Sequence, residues 1–330
     1  MNKNYFKEKT ILITGGTGSF GQAFINYILK NNLNFKKIVV FSRDELKQFE
    51  MKKFFDQKNF SNIRFFLGDI RDKNRLKLAF KDIDIVVHAA ALKQVPAAEY
   101  NPFEFIKTNV LGSQNIVEAC LDSKIKNVVA LSTDKASSPI NLYGATKLCA
   151  DKLFIGANNI KGKQNIKFSV VRYGNVMGSR GSVLHNFLEQ KKNGILCITD
   201  IRMTRFNINM NEAIEFVINA ITNSNGGEIF VPKIPSFYIV DLAKAVSKNC
   251  KIKIIGMREG EKIHEEMISN NESSRTVDLK THYAILNPSI FKYYKKNKFL
   301  DSNFAYRSNA NKFFLTVAQL RSIVKRISEN

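Results

Sequence analysis

The stretch Thr10-Ile-Leu-Ile-Thr-Gly-Gly-Thr-Gly-Ser-Phe-Gly21 decides the fold. Its apolar run at 11–14 reads as a buried parallel strand, which stops at a turn with glycine at 15, 16, 18 and 21. Residues 20–31 read as a helix, because Phe24, Ile25, Ile28 and Leu29 share one stripe. Strand, glycine turn and helix in this order form a cradle for a dinucleotide pyrophosphate. Glycine permits the tight turn, lets backbone approach phosphate, and lets the helix pack close to the strand. The free N–H groups of the helix N-terminus then face the anion. Gly15, Thr17, Gly18, Ser19, Phe20 and Gly21 are therefore the first candidate cofactor contacts.

The second strand, 37–41, ends in Ser42-Arg43-Asp44. An NAD site usually places a carboxylate about twenty residues past the glycines, where it holds the ribose 2′-OH. Here serine and arginine stand at that point, and Lys47 follows one helical turn on. Arg43 and Lys47 can pair with a 2′-phosphate, which favours NADP. Asp44 leaves NAD open if the strand ends one residue later.

Strand and helix signals then alternate: strand 63–67, helix 73–81, strand 83–90, helix 102–123, strand 128–132, helix 141–158 and strand 168–173. Repeated βα units of this length imply an α/β fold with a doubly wound parallel, Rossmann-type sheet over residues 1–175. Beyond 175 the pieces shorten: helices near 183–193 and 211–222, strands near 228–231 and 252–255. This reads as a smaller, mixed C-terminal substrate-binding domain over 176–330, with about 200–222 returning to the first domain. Residues 270–330 carry no usable motif, and the basic, aromatic stretch at 292–298 reads as surface.

The chain has 330 residues, 44% hydrophobic and 24% charged, values typical of a globular protein with a large core. No apolar run is long enough to span a membrane, and the polar N-terminus leads straight into the first strand without a signal peptide. Cys120, Cys149, Cys197 and Cys250 are scattered and form no CxxC pair, as expected of reduced thiols in a cytoplasmic protein. The net charge of +22 is compatible with nucleic-acid binding. The basic residues are spread along the chain without a tail or a recognisable module, so a solvated lysine surface is expected and no nucleic-acid partner. Such a surface also attracts an anionic nucleotide substrate.

The chemistry gathers at the end of the fifth strand, Ser132-Thr133-Asp134-Lys135, followed eight residues later by Tyr143-Gly-Ala-Thr-Lys147. Tyr143 and Lys147, at i and i+4, share a helix face. A cationic Lys147 is expected to lower the phenol from its usual pKa of about 10, making it usable as a base. The same spacing at Tyr5–Lys9 and Tyr294–Lys298 reads as accident. Position separates Tyr143 from these, because ligands bind at the C-terminal ends of strands in such sheets. His264-Glu265-Glu266 has no second histidine four residues on, so it reads as an ordinary helix turn, and no metal site is expected. His88, inside an apolar strand, reads as a core histidine.

Together the glycine turn, Thr133, Tyr143 and Lys147 resemble the extended short-chain dehydrogenase/reductase superfamily. Ser42-Arg-Asp-Glu-Leu-Lys47, Ala89-Ala-Ala-Leu-Lys93, Ser132-Thr-Asp-Lys135, Tyr143-Gly-Ala-Thr-Lys-Leu148, Val171-Arg-Tyr-Gly-Asn175, Gly178-Ser-Arg-Gly181, Thr199-Asp-Ile-Arg-Met-Thr-Arg205 and Arg258-Glu-Gly-Glu261 extend the likeness. They resemble the UDP-N-acetylglucosamine 4,6-dehydratases that invert carbon 5 and begin pseudaminic acid synthesis. The resemblance covers roughly residues 8–268.

That resemblance implies an internal redox cycle. Tyr143, helped by Thr133 and Lys147, takes the carbon 4 hydroxyl proton while hydride passes to NADP⁺. Lys135 removes the carbon 5 proton and Asp134 protonates the departing carbon 6 hydroxyl. A lysine at its usual pKa of about 10.4 is a poor base, so burial or nearby cations are expected to lower Lys135. Ser42, Asp69, Ile70, Ala89, Ala90, Ala91, Thr108, Asn109 and Val176 join Tyr143 and Lys147 around the cofactor, with Asp69 and Ile70 at the adenine edge. Lys93, Asn175, Thr199, Arg205, Arg258 and Glu261 contact the UDP-sugar, arginine forks being suited to a diphosphate. A homo-oligomer is implied as well. The rivals are a retaining, bacillosamine-type dehydratase, a nucleotide-sugar 4-epimerase and a non-catalytic NADP-sensing regulator. Tyr143 and the missing membrane segment argue against the first. An epimerase needs no Asp134–Lys135 pair, and a regulator has no need of Tyr143, Lys147 and Asp134 together.

Overall fold

Six parallel strands build the first half of the chain: β1 (Thr10–Thr14), β2 (Lys37–Ser42), β3 (Ile63–Leu67), β4 (Ile85–His88), β5 (Asn127–Thr133) and β6 (Lys167–Tyr173). They lie in the order 3-2-1-4-5-6, so the connections reverse direction between β1 and β4 and leave a crevice at the strand C-termini. β1 is buried along its whole length between β2 and β4, with Ile11 opposite Ile38 on one side and Ile85 on the other. That is why its sequence is continuously apolar rather than alternating. The computed structural model describes residues 3–57, 60–179 and 181–328; Arg180, within the Gly178–Gly181 stretch, lies outside them.

The helices of this half are α1 (Ser19–Lys30), α2 (Glu45–Asp56), α3 (Lys73–Ala79), α4 (Val95–Tyr100), α5 (Pro102–Phe105), α6 (Gly112–Leu121) and α7 (Leu142–Ile160). α2 and α4 had no clear signal in the sequence. α2 starts at Asp44, whose carboxylate accepts from Lys47 N at 3.0 Å and satisfies one of the free N-terminal donors. The single helix expected over 102–123 is interrupted by a π-helical turn at Ile106–Leu111. Close packing accompanies the break: a Cβ on Gly112 would stand 2.9 Å from the Ile70 side chain. The wide turn carries Thr108 and Asn109 into buried positions.

The second half supplies β7 (Asn175–Val176), α8 (Val183–Gln190), β8 (Ile195–Ile198), β9 (Thr204–Ile208), α9 (Met210–Asn223), β10 (Glu228–Pro232), β11 (Ser236–Tyr238), α10 (Ile239–Val246) and β12 (Lys251–Ile254). Then follow β13 (Glu266–Ile268), α11 (Asn270–Ser273), β14 (Thr276–Asp278), β15 (His282–Leu286), β16 (Lys298–Phe299), β17 (Tyr306–Arg307) and α12 (Val317–Ser328). β10 joins β6 in parallel, and β15, β14 and β16 continue antiparallel to complete a ten-stranded sheet. α9, opened by a capping box between Asn209 and Glu212, packs on α1 and over β5 and β6. A separate small core gathers Leu184, Phe187, Leu196, Ile198, Phe237 and Leu242, closed by Leu320 and Val324 of α12. No described helix is long and apolar enough to cross a membrane.

One buried ion network ties the parts that bear on the site. Arg172 of β6 is fully buried, bonds both oxygens of Glu272 at 3.0–3.1 Å, and reaches Asp151 of α7 at 3.2 Å and Met267 O of β13 at 3.0 Å. α7 carries Tyr143 and Lys147, so Arg172 fixes that helix to the segment that follows residue 265.

Candidate active site

The glycine turn forms the floor of a crevice at the end of β1. Gly15 has φ +65°, and a Cβ there would stand 2.9 Å from the N and Cα of Ala90. At Gly21 a Cβ would stand 2.4 Å from Gly16 O, so only glycine lets α1 approach the turn this closely. One end of the crevice is lined by Thr17, Gly18, Ser42, Arg43, Lys47, Asp69, Ile70, Ala89, Ala90, Ala91 and Thr108. The other end shares Gly15, Thr17, Gly18, Ala89 and Ala91 and adds Ser19, Phe20, Gly21, Lys93, Thr133, Tyr143, Lys147 and Val176. The sequence-derived cofactor residues therefore converge, with one exception. Asn109 stands behind the wall, its amide bonding Leu92 O at 2.9 Å and Thr146 Oγ1 at 3.1 Å while its carbonyl accepts from Leu92 N. It fastens the 92 loop to α7. The buried Thr108 hydroxyl, in contrast, lines the crevice without a hydrogen-bond partner among the described residues.

At the β2 end the strand stops at Ser42, and Asp44 is occupied as the cap of α2 and as the ion-pair partner of Lys47. Ser42 is buried and accepts from Gln48 Nε2 at 3.0 Å. Arg43 extends over half-exposed ground, 3.8 Å from Asp69 Oδ2. Asp69 also takes two bonds from the Arg71 guanidinium.

The end of β5 forms a polar cluster. Thr133 Oγ1 donates to Asp134 Oδ1 at 2.9 Å, and Lys135 Nζ stands 3.0 Å from the same oxygen. Lys135 Nζ is also 3.0 Å from Glu265 Oε1, and Arg205 Nε stands 3.5 Å from that oxygen. Asp134 is fully buried and Glu265 nearly so; Asp134 Oδ2 and Glu265 Oε2 have no hydrogen-bond partner among the described residues. Burial raises the Asp134 pKa, against the pull of Lys135 and with the help of Glu265. For Glu265 burial again works upward, but Lys135 and Arg205 outweigh it and hold its pKa below the usual value.

Two sequence expectations are overturned here. Lys135 was expected to have a lowered pKa. Burial does act in that direction, but the carboxylates of Asp134 and Glu265 overcome it and raise the value above that of an ordinary lysine. Lys147 was expected to lower the Tyr143 phenol. The phenol is instead pushed up to about 12, chiefly by burial, with Lys135 and the Thr133 hydroxyl opposing the rise. The Lys147 ammonium is turned to Leu131 O at 2.6 Å, and burial lowers its own pKa. His88 is a core residue as read: buried, bonded to Thr14 Oγ1 at 2.8 Å, its pKa depressed to about 3 by burial and by Lys147.

A second cavity opens on the far side of this cluster. Lys135, Asn175, Thr199, Arg205, Arg258, Glu261 and Glu265 line it. Five of the six expected sugar-contact residues are thus together, while Lys93 lies on the crevice side, where burial lowers its pKa. Arg205 is close to fully buried, its guanidinium also bonding Thr204 O at 2.7 Å and Ile263 O at 3.0 Å. Asn141, the cap of α7, bonds Gly260 O at 2.7 Å and so ties the 258–261 loop to the Tyr143 helix.

Glu265 is the residue that sequence reading missed. His264-Glu265-Glu266 is no helix turn: His264 bridges to Thr204, and Glu266 begins β13. The signal was period two, since Ile263 and Met267 flank Glu265 on one side of an extended chain. Glu266 turns elsewhere, to Ser138 Oγ at 2.7 Å and Arg307 Nε at 2.7 Å.

Comparison with known proteins places this geometry. The family model described as polysaccharide biosynthesis protein matches residues 11–287. An inverting UDP-N-acetylglucosamine 4,6-dehydratase of Campylobacter jejuni is 49% identical over 332 residues, covering 97% of this chain and 98% of the relative. A UDP-glucose 4-epimerase of Rickettsia bellii is 45% identical, covering 85% of this chain and 83% of its own. Among solved structures, the X-ray structure of Pen from Bacillus thuringiensis superposes with a TM-score of 0.90 at 38% identity, covering 98% of this chain and 99% of that one.

Proposed function

The chain belongs to the polysaccharide biosynthesis protein family, among the inverting UDP-N-acetylglucosamine 4,6-dehydratases, and we propose that it dehydrates UDP-N-acetylglucosamine across carbons 4 to 6 with inversion at carbon 5. The product is UDP-2-acetamido-2,6-dideoxy-β-L-arabino-hexos-4-ulose, and the step is the first of pseudaminic acid synthesis. One observation carries this reading. The Asp134–Lys135 pair stands in the wall between the crevice that holds Tyr143 and the cavity lined by Arg205 and Arg258.

The glycine turn fits a dinucleotide: it lines both ends of the crevice, and a Cβ at Gly15 or Gly21 would collide with Ala90 or Gly16 and undo the tight turn. A bound NADP⁺ would supply a hydride acceptor beside Tyr143, and its cationic ring would draw the phenol pKa down. NADP is preferred over NAD because Asp44 is occupied at the helix start, leaving Arg43 to meet a 2′-phosphate.

Tyr143, beside Thr133, takes the proton of the carbon 4 hydroxyl. The ketone so formed acidifies carbon 5. Lys135 removes that proton, and its electron pair forms the carbon 5–carbon 6 double bond as the carbon 6–oxygen bond breaks. Asp134, whose pKa burial raises, gives a proton to the departing oxygen, which leaves as water. Return of the hydride to carbon 6, and addition of a solvent-exchangeable proton to the opposite face of carbon 5, would then give the inverted 6-deoxy-4-keto sugar. Arg205, Arg258, Asn175 and Thr199 hold the nucleotide diphosphate and sugar, with Lys93 reaching from the crevice side. Residues 1–175 form the cofactor domain and 176–330 mainly the substrate domain, with about 200–222 returning to the first domain and β10, β14, β15 and β16 extending its sheet. The enzyme works as a cytoplasmic homo-oligomer.

The 4-epimerase name of the Rickettsia relative supports a second reading, in which carbon 4 alone is inverted. An epimerase has no use for an acid beside a base at carbon 5. Incubation with UDP-N-acetylglucosamine in deuterated water, followed by NMR, decides. A 6-deoxy-4-keto product with deuterium at carbon 5 and L-arabino configuration is expected. A product with carbon 6 still hydroxylated, or with retained configuration at carbon 5, refutes the proposal.

A further inference from the structure

We propose that Glu265 accepts the proton Lys135 must lose before it can act as the carbon 5 base, so that Glu265 is a positioning and proton-holding residue of the elimination step. The inference rests on the reading of Lys135 as that base. Two facts of geometry and one requirement of the proposed reaction carry it. Lys135 Nζ lies at 3.0 Å from two carboxylates, Asp134 and Glu265. Asp134 must keep its own proton for the carbon 6 oxygen, so it cannot also relieve Lys135. Glu265 Oε2 is buried without a hydrogen-bond partner among the described residues, so no bond at that oxygen is lost when Glu265 takes up a proton.

The proton balance is simple. A proton passes from Lys135 Nζ to Glu265 Oε1, turning an ammonium–carboxylate pair into an amine–carboxylic acid pair. Net charge in the cluster does not change, so the transfer escapes the penalty of moving a charge between water and the interior. The free amine pair on Nζ then takes the carbon 5 proton while Asp134 protonates the leaving hydroxyl. Lys135 ends as ammonium, Asp134 as carboxylate and Glu265 as acid. The proton on Glu265 returns to Asp134 through Lys135 before the next turnover. Arg205, 3.5 Å from Glu265 Oε1, and Lys262, whose Nζ is bonded to Ser137 O at 2.7 Å, are the other cations facing the group. They hold Glu265 ionised until Lys135 surrenders its proton.

Glu265→Gln in the NADP-loaded enzyme tests this. The amide oxygen can still accept from Lys135 but cannot take its proton. On mixing with UDP-N-acetylglucosamine, reduced nicotinamide should appear at the wild-type rate. Its decay, and deuterium uptake at carbon 5, should slow by about tenfold or more, within the range of general acid–base contributions. Without Glu265, Lys135 must release its proton to solvent, so the decay rate of the variant should climb about tenfold per pH unit through neutrality, where the wild type is flat. Decay within threefold of wild type, or a flat pH profile in the variant, overturns the inference. So does equal slowing of both phases, which marks a structural role. Lys135→Ala separates the underlying reading. If it fails to arrest the decay, the base assignment falls; if it arrests decay while Glu265→Gln does not, only Glu265 falls. Should Glu265→Gln not fold, Glu265→Asp decides, with selective slowing of decay in support and no slowing, or parallel slowing, against.

Discussion

Replacing Asp134 by asparagine keeps the shape of the side chain and removes its ability to give up a proton. The side chain is fully buried, and its Oδ1 accepts from Thr133 at 2.9 Å and from Lys135 at 3.0 Å. An amide oxygen placed there keeps both bonds. Burial raises the Asp134 pKa, so asparagine replaces a group whose ionised form the site disfavours. Folding stability should fall by about 1 to 3 kcal/mol, because the amide N–H₂ is buried where Asp134 Oδ2 has no hydrogen-bond partner among the described residues, while Lys135 retains Glu265. Catalysis should fall by about 10² to 10⁴, the usual worth of a general acid. That corresponds to roughly 3 to 5 kcal/mol on the barrier, at about 1.4 kcal/mol per tenfold. The assay has two readouts: stopped-flow absorbance of reduced nicotinamide after addition of UDP-N-acetylglucosamine, and NMR of the sugar. Reduced cofactor should appear at the wild-type rate and persist, with no 6-deoxy sugar formed. Turnover within tenfold of wild type would refute the assignment of Asp134 as the acid. Loss of the first phase as well, in a protein that urea titration shows to be folded, would show that Asp134 acts at carbon 4.

Tyr143→Phe should lose about 10² to 10⁴ in turnover while binding cofactor and sugar within about threefold of wild type, measured by titration calorimetry. Arg43→Asp should weaken NADP far more than NAD, because the exposed guanidinium 3.8 Å from Asp69 is the candidate 2′-phosphate partner; equal loss for both removes that role. Arg172→Met leaves the Asp151 and Glu272 carboxylates buried without their cation, and should cost about 3 to 5 kcal/mol in urea unfolding. His88 titrates at about 3 in the fold against an ordinary 6.5, so the unfolded chain binds the extra proton. Stability should be intact above pH 6.5 and fall below it, with His88 contributing up to about 1.4 kcal/mol per pH unit, and His88→Gln should flatten that slope in urea titrations at pH 5 to 7.

Much of this protein is written locally. The continuous apolar run of β1 and the glycines that follow it fix the strand, the turn and the start of α1, because each needs only near neighbours in the chain. The strand ends carrying Ser42-Arg43 and Thr133-Asp134-Lys135 were legible for the same reason, as was the shared helix face of Tyr143 and Lys147. Residues 270–330 were not. β14, β15 and β16 are short strands that complete the sheet by pairing with one another and with β10, and such pairing leaves little trace in the segment itself. The π turn at Ile106–Leu111 was equally hidden, since a helix stripe does not announce where Ile70 crowds Gly112.

By itself the sequence determined that a dinucleotide-type cradle exists and which strand end bears an acid beside a lysine. The full set of charges around that lysine was completed only by tertiary structure. Its spacing from Asp134 is local, but Glu265 arrives from the other side of the fold, and Coulomb attraction between buried groups falls off with distance in space rather than along the chain. Asp134 and Glu265 together turned an expected low-pKa base into a firmly held cation, and Glu265 supplied the group proposed to relieve it.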